Sequence, residues 1–532
     1  MISHYLKCFL LLSFVSASYS YKILVWSPTV SKSHMIQNGR VADTLALGGH
    51  NTTLIEVDYS IEPGSVKAVR HANYWPVSHH HPDRIRGPRY LEDILSDSIY
   101  KEYYVFHDFF DFTDDFCLDF LRNKELMDKV KAEKYDAIFY EQYDFCPIVI
   151  AQALNIKVKV WMSSCPQLAH QVAIMGIPFE ASYVPAAMNN PNGDRMNFFE
   201  RIGNIIRLYL MYDVHVSAWN RLDSEVRKIF GDNFPRIVDI AKTADLVFVN
   251  TDEIIDFPRP LPPNVIHVGG LGMSSVHKDL EAPFDDLMTK GPKGVVLFSL
   301  GSVVPTKLLP PQYMKNVLDT LAKFKDYFFI VKVCKDDLSS IEYANGTENV
   351  YVNDWIPQAG ILAHPRLQLF ITHGGYNSIV EAGTFSIPLL LIGMIFDQPR
   401  NARLVERNGW GLSLDKLSLL HGAEEFEAKL TELLTNKKYK TNAQRVSRLM
   451  KTKPQTGEQK FLSYVRFLEE NDGHLPELRS IASDLSTIEY HNLDILAAFL
   501  ALLAILFTVL GCLLLKIVKT LRLLFHAKEK IQ

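Results

Sequence analysis

The chain lacks an excess of either charge. Lys plus Arg number 56 against 60 for Asp plus Glu, a formal net charge of −4. It therefore has none of the basic surplus with which nucleic-acid-binding proteins neutralise phosphates, and nucleic acid is not expected as a partner. Cysteine is scarce, six in 532 residues, and no two of them stand at the paired spacing of a zinc site. No metal motif is evident, so no essential metal is expected. No internal repeat recurs at a period of about 20–50 residues, which excludes a solenoid or propeller. What is present is a large apolar share, 48% against 22% charged, enough for a sizeable core. At about 100–200 residues per domain the length favours two or three domains.

The two ends suggest an address. Met1 to Ser20 places Lys7 before a short apolar run, Cys8 to Val15, followed by the small residues Ser16, Ala17 and Ser18. That is the pattern of a secretory signal peptide, and the run is too short to span a bilayer. Ile495 to Leu515 is apolar and uncharged, long enough as a helix to cross a hydrocarbon core of about 30 Å. Lys516, Lys519, Arg522, Lys528 and Lys530 follow, and positive charge beside a span marks its cytosolic side. The expectation is a single-pass membrane protein with a lumenal body and a short cytosolic tail. Lys528 and Lys530 also resemble a dilysine signal for return to the endoplasmic reticulum; a basic tail that merely holds the helix is the plainer alternative.

In that compartment Cys117, Cys146, Cys165 and Cys334 can form disulfides, and four cysteines allow three pairings among which the sequence does not choose. Asn51-Thr52-Thr53 and Asn345-Gly346-Thr347 are glycosylation acceptors. Asn51 falls near an expected strand start, which favours Asn345.

Residues 22–57 read as strand, helix, strand: Ile23 to Trp26, a helical pattern from Met35 to Leu47 stopped at Gly48-Gly49, then Leu54 to Val57. This βαβ unit implies a parallel sheet. Further strands are expected at Ala137 to Tyr140, Val158 to Trp161 and Leu246 to Asn250. Asp256 to Gly272 is rich in Pro and Gly and reads as a connection between domains. The alternation then restarts at Val295 to Ser299, Phe328 to Val333, Leu367 to Thr372 and Pro388 to Ile392. The fold class is α/β, with two doubly wound Rossmann-like domains facing a cleft where ligands bind at the carboxyl ends of strands. The divisions are a signal peptide at 1–20, a first domain at 21–272, a second domain with a membrane-proximal segment at 273–490, a transmembrane helix at 491–515 and a basic tail at 516–532.

The informative stretch runs from Trp355 to Asn401. An expected strand feeds His373-Gly374-Gly375 and then a helix starting near Asn377. Glycines let a backbone approach an anion, and a helix N-terminus offers N–H groups and partial positive charge. Asn377 and Ser378 add side-chain donors, and His373 can bond to a departing phosphate or, when protonated, neutralise it. Glu381, one turn on from Asn377, suits a ribose diol. Asp397-Gln398, after another strand, suits neighbouring sugar hydroxyls. Trp355, with Gln358 near it, offers an aromatic face for a base. Ser299-Leu300-Gly301-Ser302 ends a strand where a phosphate oxygen could be held. Taken singly, a Gly-Gly after a strand is an ordinary tight turn, and a lone Trp is ordinary core. The order and spacing carry the signal.

In these residues the chain resembles the UDP-glycosyltransferase family, and within it the animal UDP-glucuronosyltransferases. The resemblance rests on Trp355 and Gln358, on FITHGG from Phe370 to Gly375 with Asn377, Ser378 and Glu381, on Pro388, and on Asp397-Gln398 with Asn401. It extends over nearly the whole chain, including FSLGS from Phe298 to Ser302. It implies the GT-B architecture, with a first domain that binds the acceptor and a second that binds the UDP-sugar. It further implies that Trp355 stacks on uracil with Gln358 alongside. Ser302, His373, Gly375, Asn377 and Ser378 would hold the diphosphate, Glu381 the ribose, and Asp397 with Gln398 the transferred sugar. The UDP-sugar is then the donor substrate, and no separate cofactor is expected.

An acceptor hydroxyl must lose its proton as it attacks, which requires a general base. His34, in the loop after the first strand and at a helix start, is the candidate; the helix N-terminus should keep it neutral. The resemblance places the family's catalytic histidine there too. A carboxylate should stand behind it. The family's aspartate falls on Glu141, while Asp144 could fold back instead. His79-His80-His81 has no neighbouring Cys or carboxylate cluster and reads as a solvated loop. The function expected is inverting transfer of glucuronic acid from UDP-glucuronic acid to a hydroxyl of small lipophilic acceptors. UDP-glucose remains open as the donor, with Arg400 an ambiguous counter-ion for a sugar carboxylate. So does a catalytically silent UDP-sugar-binding subunit that forms a homo- or hetero-oligomer with relatives. The acceptor itself cannot be named, because residues 60–130 and 165–235 match no readable chemistry.

Overall fold

The computed structural model describes residues 20–29, 31–58, 68–77, 94–141, 143–273, 279–302 and 304–529. The expected signal-peptide run, the histidines at 79–81 and Lys530 lie outside them.

Strand β1 (Lys22–Pro28) leads through helix α1 (Lys32–Leu47) to β2 (Asn51–Val57) and then β3 (Asn73–Val77). Helix α2 (Ile99–Arg122) precedes β4 (Ala137–Glu141) and β5 (Val158–Ser163). The 33-residue helix α3 (Phe198–Phe230) precedes β6 (Leu246–Val249) and β7 (Val265–His267). The strands form one sheet in the order β3-β2-β1-β4-β5-β6-β7, and every neighbouring pair is parallel. A parallel sheet is covered on both faces, so its central strands are near-continuous apolar runs. Ile23 and Val25 of β1 pack with Val41 and Leu45 of α1 on one face. Leu24 and Trp26 pack with Phe110 and Phe120 of α2 and Trp219 of α3 on the other.

The second sheet contains β8 (Gly294–Ser299), β9 (Tyr327–Lys332), β10 (Val350–Asn353) and β11 (Leu367–Thr372). Helix α4 (Tyr376–Thr384), β12 (Leu389–Leu391), helix α5 (Gln398–Arg407) and β13 (Gly411–Ser413) complete it. Its order is β10-β9-β8-β11-β12-β13, again parallel throughout. Helix α6 (Gly457–Glu470) then returns to the first sheet, where Phe461, Val465 and Leu468 pack with Phe139 and Phe248. Residues up to Arg479 form one compact unit.

Residues from Ser480 form a second unit, dominated by helix α7 (Leu493–Glu529). Leu493–Leu524 is long and apolar enough to cross a membrane, its most apolar 18-residue stretch having a mean hydropathy of 2.9. The helix continues past Leu515 through Lys516, Lys519 and Arg522, positions the sequence assigns to a tail.

Of the three cysteine pairings left open, the structure selects one partnership. Cys117 on α2 is bonded to Cys146, with Cα atoms 5.1 Å apart.

Candidate active site

Each sheet reverses its winding once, between β1 and β4 in the first and between β8 and β11 in the second. Adjacent loops there leave in opposite directions and open a crevice at the strands' carboxyl ends. Both crevices face one cavity of about 660 Å³, lined by His34, Tyr143, Ser302, Trp355, His373 and Asp397 among others.

On the first-sheet side, Ser31 caps α1 in extended conformation and accepts from the His34 backbone N–H, which fixes His34 in the first helical turn. Glu141 is the last residue of β4. The His34 Nδ1 lies 3.1 and 3.2 Å from its two carboxylate oxygens. With Nδ1–H donating to Glu141, Nε2 is left as the ring's proton acceptor. The Tyr143 ring meets His34 edge-on at 5.2 Å. Asp144 is committed elsewhere: it accepts from the Trp26 indole N–H at 2.7 Å and from the Cys146 backbone N–H at 2.8 Å.

Burial pulls the His34 pKa down. The charge of Glu141, its hydrogen bond and the charge of Asp397 outweigh that pull, and the net result is a raised pKa. The helix N-terminus was expected to keep this imidazole neutral. The facing carboxylate is closer and carries a full charge, so it decides the direction. Asp397 is itself raised, by burial first, against the opposing pull of Asn401 and Arg400.

On the second-sheet side, the turn after β11 brings His373 against the turn after β8. Gly301 has φ +79°, and a Cβ there would sit 2.5 Å from His373 Cε1, so the approach requires glycine. Gly374, at φ +86°, turns the chain into α4. No side chain caps the start of α4, which leaves its first N–H groups free for an anion. Burial, with the Lys332 charge beside it, lowers the His373 pKa to about 4. His373 is therefore neutral near pH 7 and offers a hydrogen bond, not the cationic charge the sequence left open.

The remaining residues are held by one another. Glu381 accepts from Gln358 Nε2 at 2.8 Å and from Arg40 Nη2 at 2.9 Å, the second bond reaching across from α1. Asn377 Oδ1 accepts from Asn250 Nδ2 at 2.5 Å. Gln398 Oε1 accepts the backbone N–H groups of Met394 and Ile395, both at 3.1 Å, which leaves its NH₂ for a ligand. Asp397 Oδ2 accepts from Asn401 Nδ2 at 2.7 Å. Trp355, Gly375, Ser378 and Ser302 line the same cavity, with Trp355 52% exposed and Lys32 5.9 Å from its ring. Every site residue read from the sequence thus borders the cavity, except Glu141, which stands behind His34.

Arg400 does not line the cavity. Its guanidinium is buried against Asp256 at 2.7 Å and donates to the Pro185 carbonyl at 3.1 Å. Sequence reasoning missed Arg40 and Lys332. Lys332 ends β9 and donates to the Gly301 carbonyl at 3.0 Å; a lysine closing an apolar strand was the available signal. Arg40 had none, because its partner lies 341 residues away.

The family pattern described as "UDP-glucoronosyl and UDP-glucosyl transferase" matches residues 21–527. The Caenorhabditis elegans relative ugt-48 is 37% identical over 503 residues, covering 92% of this chain and 94% of its own. Human UDP-glucuronosyltransferase 3A2 is 29% identical over 475 residues, 87% of each chain. Among solved structures, UGT2 of Phytolacca americana superposes with a TM-score of 0.55 at 15% identity, covering 84% of this chain and 99% of that one. That likeness speaks for the GT-B fold alone.

Proposed function

The chain belongs to the UDP-glucuronosyl and UDP-glucosyl transferase family, and from that premise we propose that it transfers glucuronic acid from UDP-glucuronic acid, with inversion, to a hydroxyl of small lipophilic acceptors. One observation carries the reading. A histidine backed by both oxygens of a carboxylate shares its cavity with an uncapped helix start.

In this reading His34 Nε2 takes the acceptor's proton while the acceptor oxygen attacks the anomeric carbon and UDP leaves. Glu141 holds the tautomer and stabilises the imidazolium that forms. The N–H groups at the start of α4, with Ser302, His373, Gly375, Asn377 and Ser378, take up charge developing on the diphosphate; such preorganised donors act where charge appears. Trp355 and Gln358 hold uracil and Glu381 the ribose. Asp397 and the Gln398 amide N–H groups orient the sugar's hydroxyls. The apolar wall formed by Phe106, Phe109 and Leu168 suits a lipophilic acceptor. Glucuronic acid as the sugar rests on the named relatives. Arg400, already engaged by Asp256, lends it no support.

The body is proposed to lie in the lumen of the endoplasmic reticulum, anchored by α7. The test of function is UDP release by detergent-solubilised full-length protein, given UDP-glucuronic acid or UDP-glucose with a panel of phenols. Acceptor-dependent release with UDP-glucuronic acid, falling about 10²–10⁴-fold in His34→Ala, is the expected result. Release with UDP-glucose alone would reassign the sugar. UDP binding without release from either donor would make the chain a silent subunit.

A further inference from the structure

The loop Met394–Asp397 carries the sugar-orienting carboxylate, and two sets of contacts hold it. From its own domain, the Gln398 and Asn401 side chains tie it from within. From the first domain, the Asn189 backbone N–H donates to the Phe396 carbonyl at 2.8 Å. The Phe106 ring of α2 meets the Phe396 ring at 5.0 Å with the planes tilted by 47°. Phe396 packs against the hydrophobic cores of both sheets, and it borders the same cavity as Phe106, Phe109, His34 and Asp397.

The backbone of Phe396 is unusual. Its φ is +56°, in the left-handed region that disfavours residues with a Cβ and is left mainly to glycine. The packing of its ring against the two cores offsets the cost of that conformation. The ring therefore holds the backbone, and the backbone sets the position of the next residue, Asp397.

Resting on the transferase reading above, we infer that Phe396 determines acceptor specificity: its ring, packed beside Phe106, forms part of the acceptor-side wall, and through its strained backbone the fit of an acceptor against that wall reaches the carboxylate that orients the donor sugar. A planar acceptor of one ring lies against the ring as it stands. A wider fused-ring acceptor must displace it, and with it Asp397.

The test compares kcat/KM for 4-nitrophenol and 1-hydroxypyrene in the full-length protein, with saturating UDP-sugar, and measures the donor KM separately. Phe396→Gly removes the wall and accepts the backbone angle without strain. The ratio of wide to narrow acceptor should rise at least tenfold. Phe396→Ala removes the wall but keeps a Cβ at the same angle. Its ratio should rise similarly, and its donor KM should rise threefold or more above that of the glycine variant. Phe396→Leu keeps an apolar side chain against both cores, and its ratio should move in the same direction by a smaller factor if the glycine variant fails to fold. An active protein whose ratio stays within twofold in the glycine and leucine variants overturns the inference alone, as does equal donor KM in the glycine and alanine variants. No acceptor-dependent release from the unaltered protein defeats the transferase reading and this inference with it.

Discussion

At the scale of single residues, the decisive arrangement is His34 between a carboxylate and a cavity. Because the pKa of His34 is raised, the proton-accepting form is the minority on the acid side of its pKa and gains as pH rises. The proposed activity should therefore climb with pH through an apparent pKa above 6.5, the ordinary value for histidine. In Glu141→Gln the charge that raises the pKa is gone and burial remains, so the acid limb should move to lower pH. The rate at its plateau should fall about 10²–10⁴-fold, because the tautomer is no longer fixed and the imidazolium no longer paired. A profile of kcat/KM between pH 5 and 9 measures both; an unmoved limb would show that Glu141 does not act on His34. His373, with its pKa lowered to about 4, stays neutral over this range and should add no second limb. The residues of this constellation were legible in the sequence. The direction of the His34 shift was not, because it depends on how closely the carboxylate of Glu141, 107 residues away, approaches the ring.

At the scale of elements, the expected strands correspond to β1, β2, β4, β5, β6, β8, β9, β11 and β12, all of them interior to a sheet. The strands that went unread are β3, β7, β10 and β13, and these are the four sheet edges. The reason is physical. An interior parallel strand is buried on both faces and is written in continuous apolar residues. An edge strand is half solvated and short, and it tolerates Pro, as β3 does at Pro76, or Gly, as β13 does at Gly411. The Cys117–Cys146 bond belongs to this scale too, because it pins α2 to the segment that follows β4. Closing a loop with a sequence separation of 29 restricts the unfolded chain, an effect worth about 3–4 kcal/mol. The paired substitution Cys117→Ser with Cys146→Ser should lower stability by that order in thermal or denaturant unfolding, and a change below about 1 kcal/mol would contradict the pairing.

At the scale of the whole molecule, the two sheets are joined by buried ionic contacts. Removing one partner of a buried pair leaves the other charge unsolvated and costs about 3–5 kcal/mol. Arg400→Ala, which abandons Asp256 and the Pro185 carbonyl, should therefore reduce stability by that amount. It should leave the ratio of KM values for UDP-glucuronic acid and UDP-glucose unchanged; a selective rise for UDP-glucuronic acid would make Arg400 a counter-ion for the sugar after all. The proposed lumenal placement makes its own prediction. Asn345 is exposed at the end of a short helix, whereas Asn51, although also exposed, starts β2, accepts from Asn73, and precedes the buried Thr52 and Thr53. Expressed in cells that glycosylate, the protein should lose a glycosidase-sensitive mobility shift in Asn345→Gln and keep it in Asn51→Gln. No shift in the unaltered protein would argue against a lumenal body.

The sequence by itself determined the parallel α/β class, the second-sheet loops that border the cavity, the place of His34 at a helix start and the apolar C-terminal helix, because each is written in local pattern: apolar runs, glycine turns, and residue types at fixed spacing. Only the tertiary structure decided the rest. It paired Cys117 with Cys146, turned Glu141 and not Asp144 toward His34, sent Arg400 to Asp256, folded α6 back onto the first sheet and placed Phe396 between two cores. Those outcomes depend on which distant side chains meet when two sheets close over one cavity, and sequence spacing does not encode distance across a cleft.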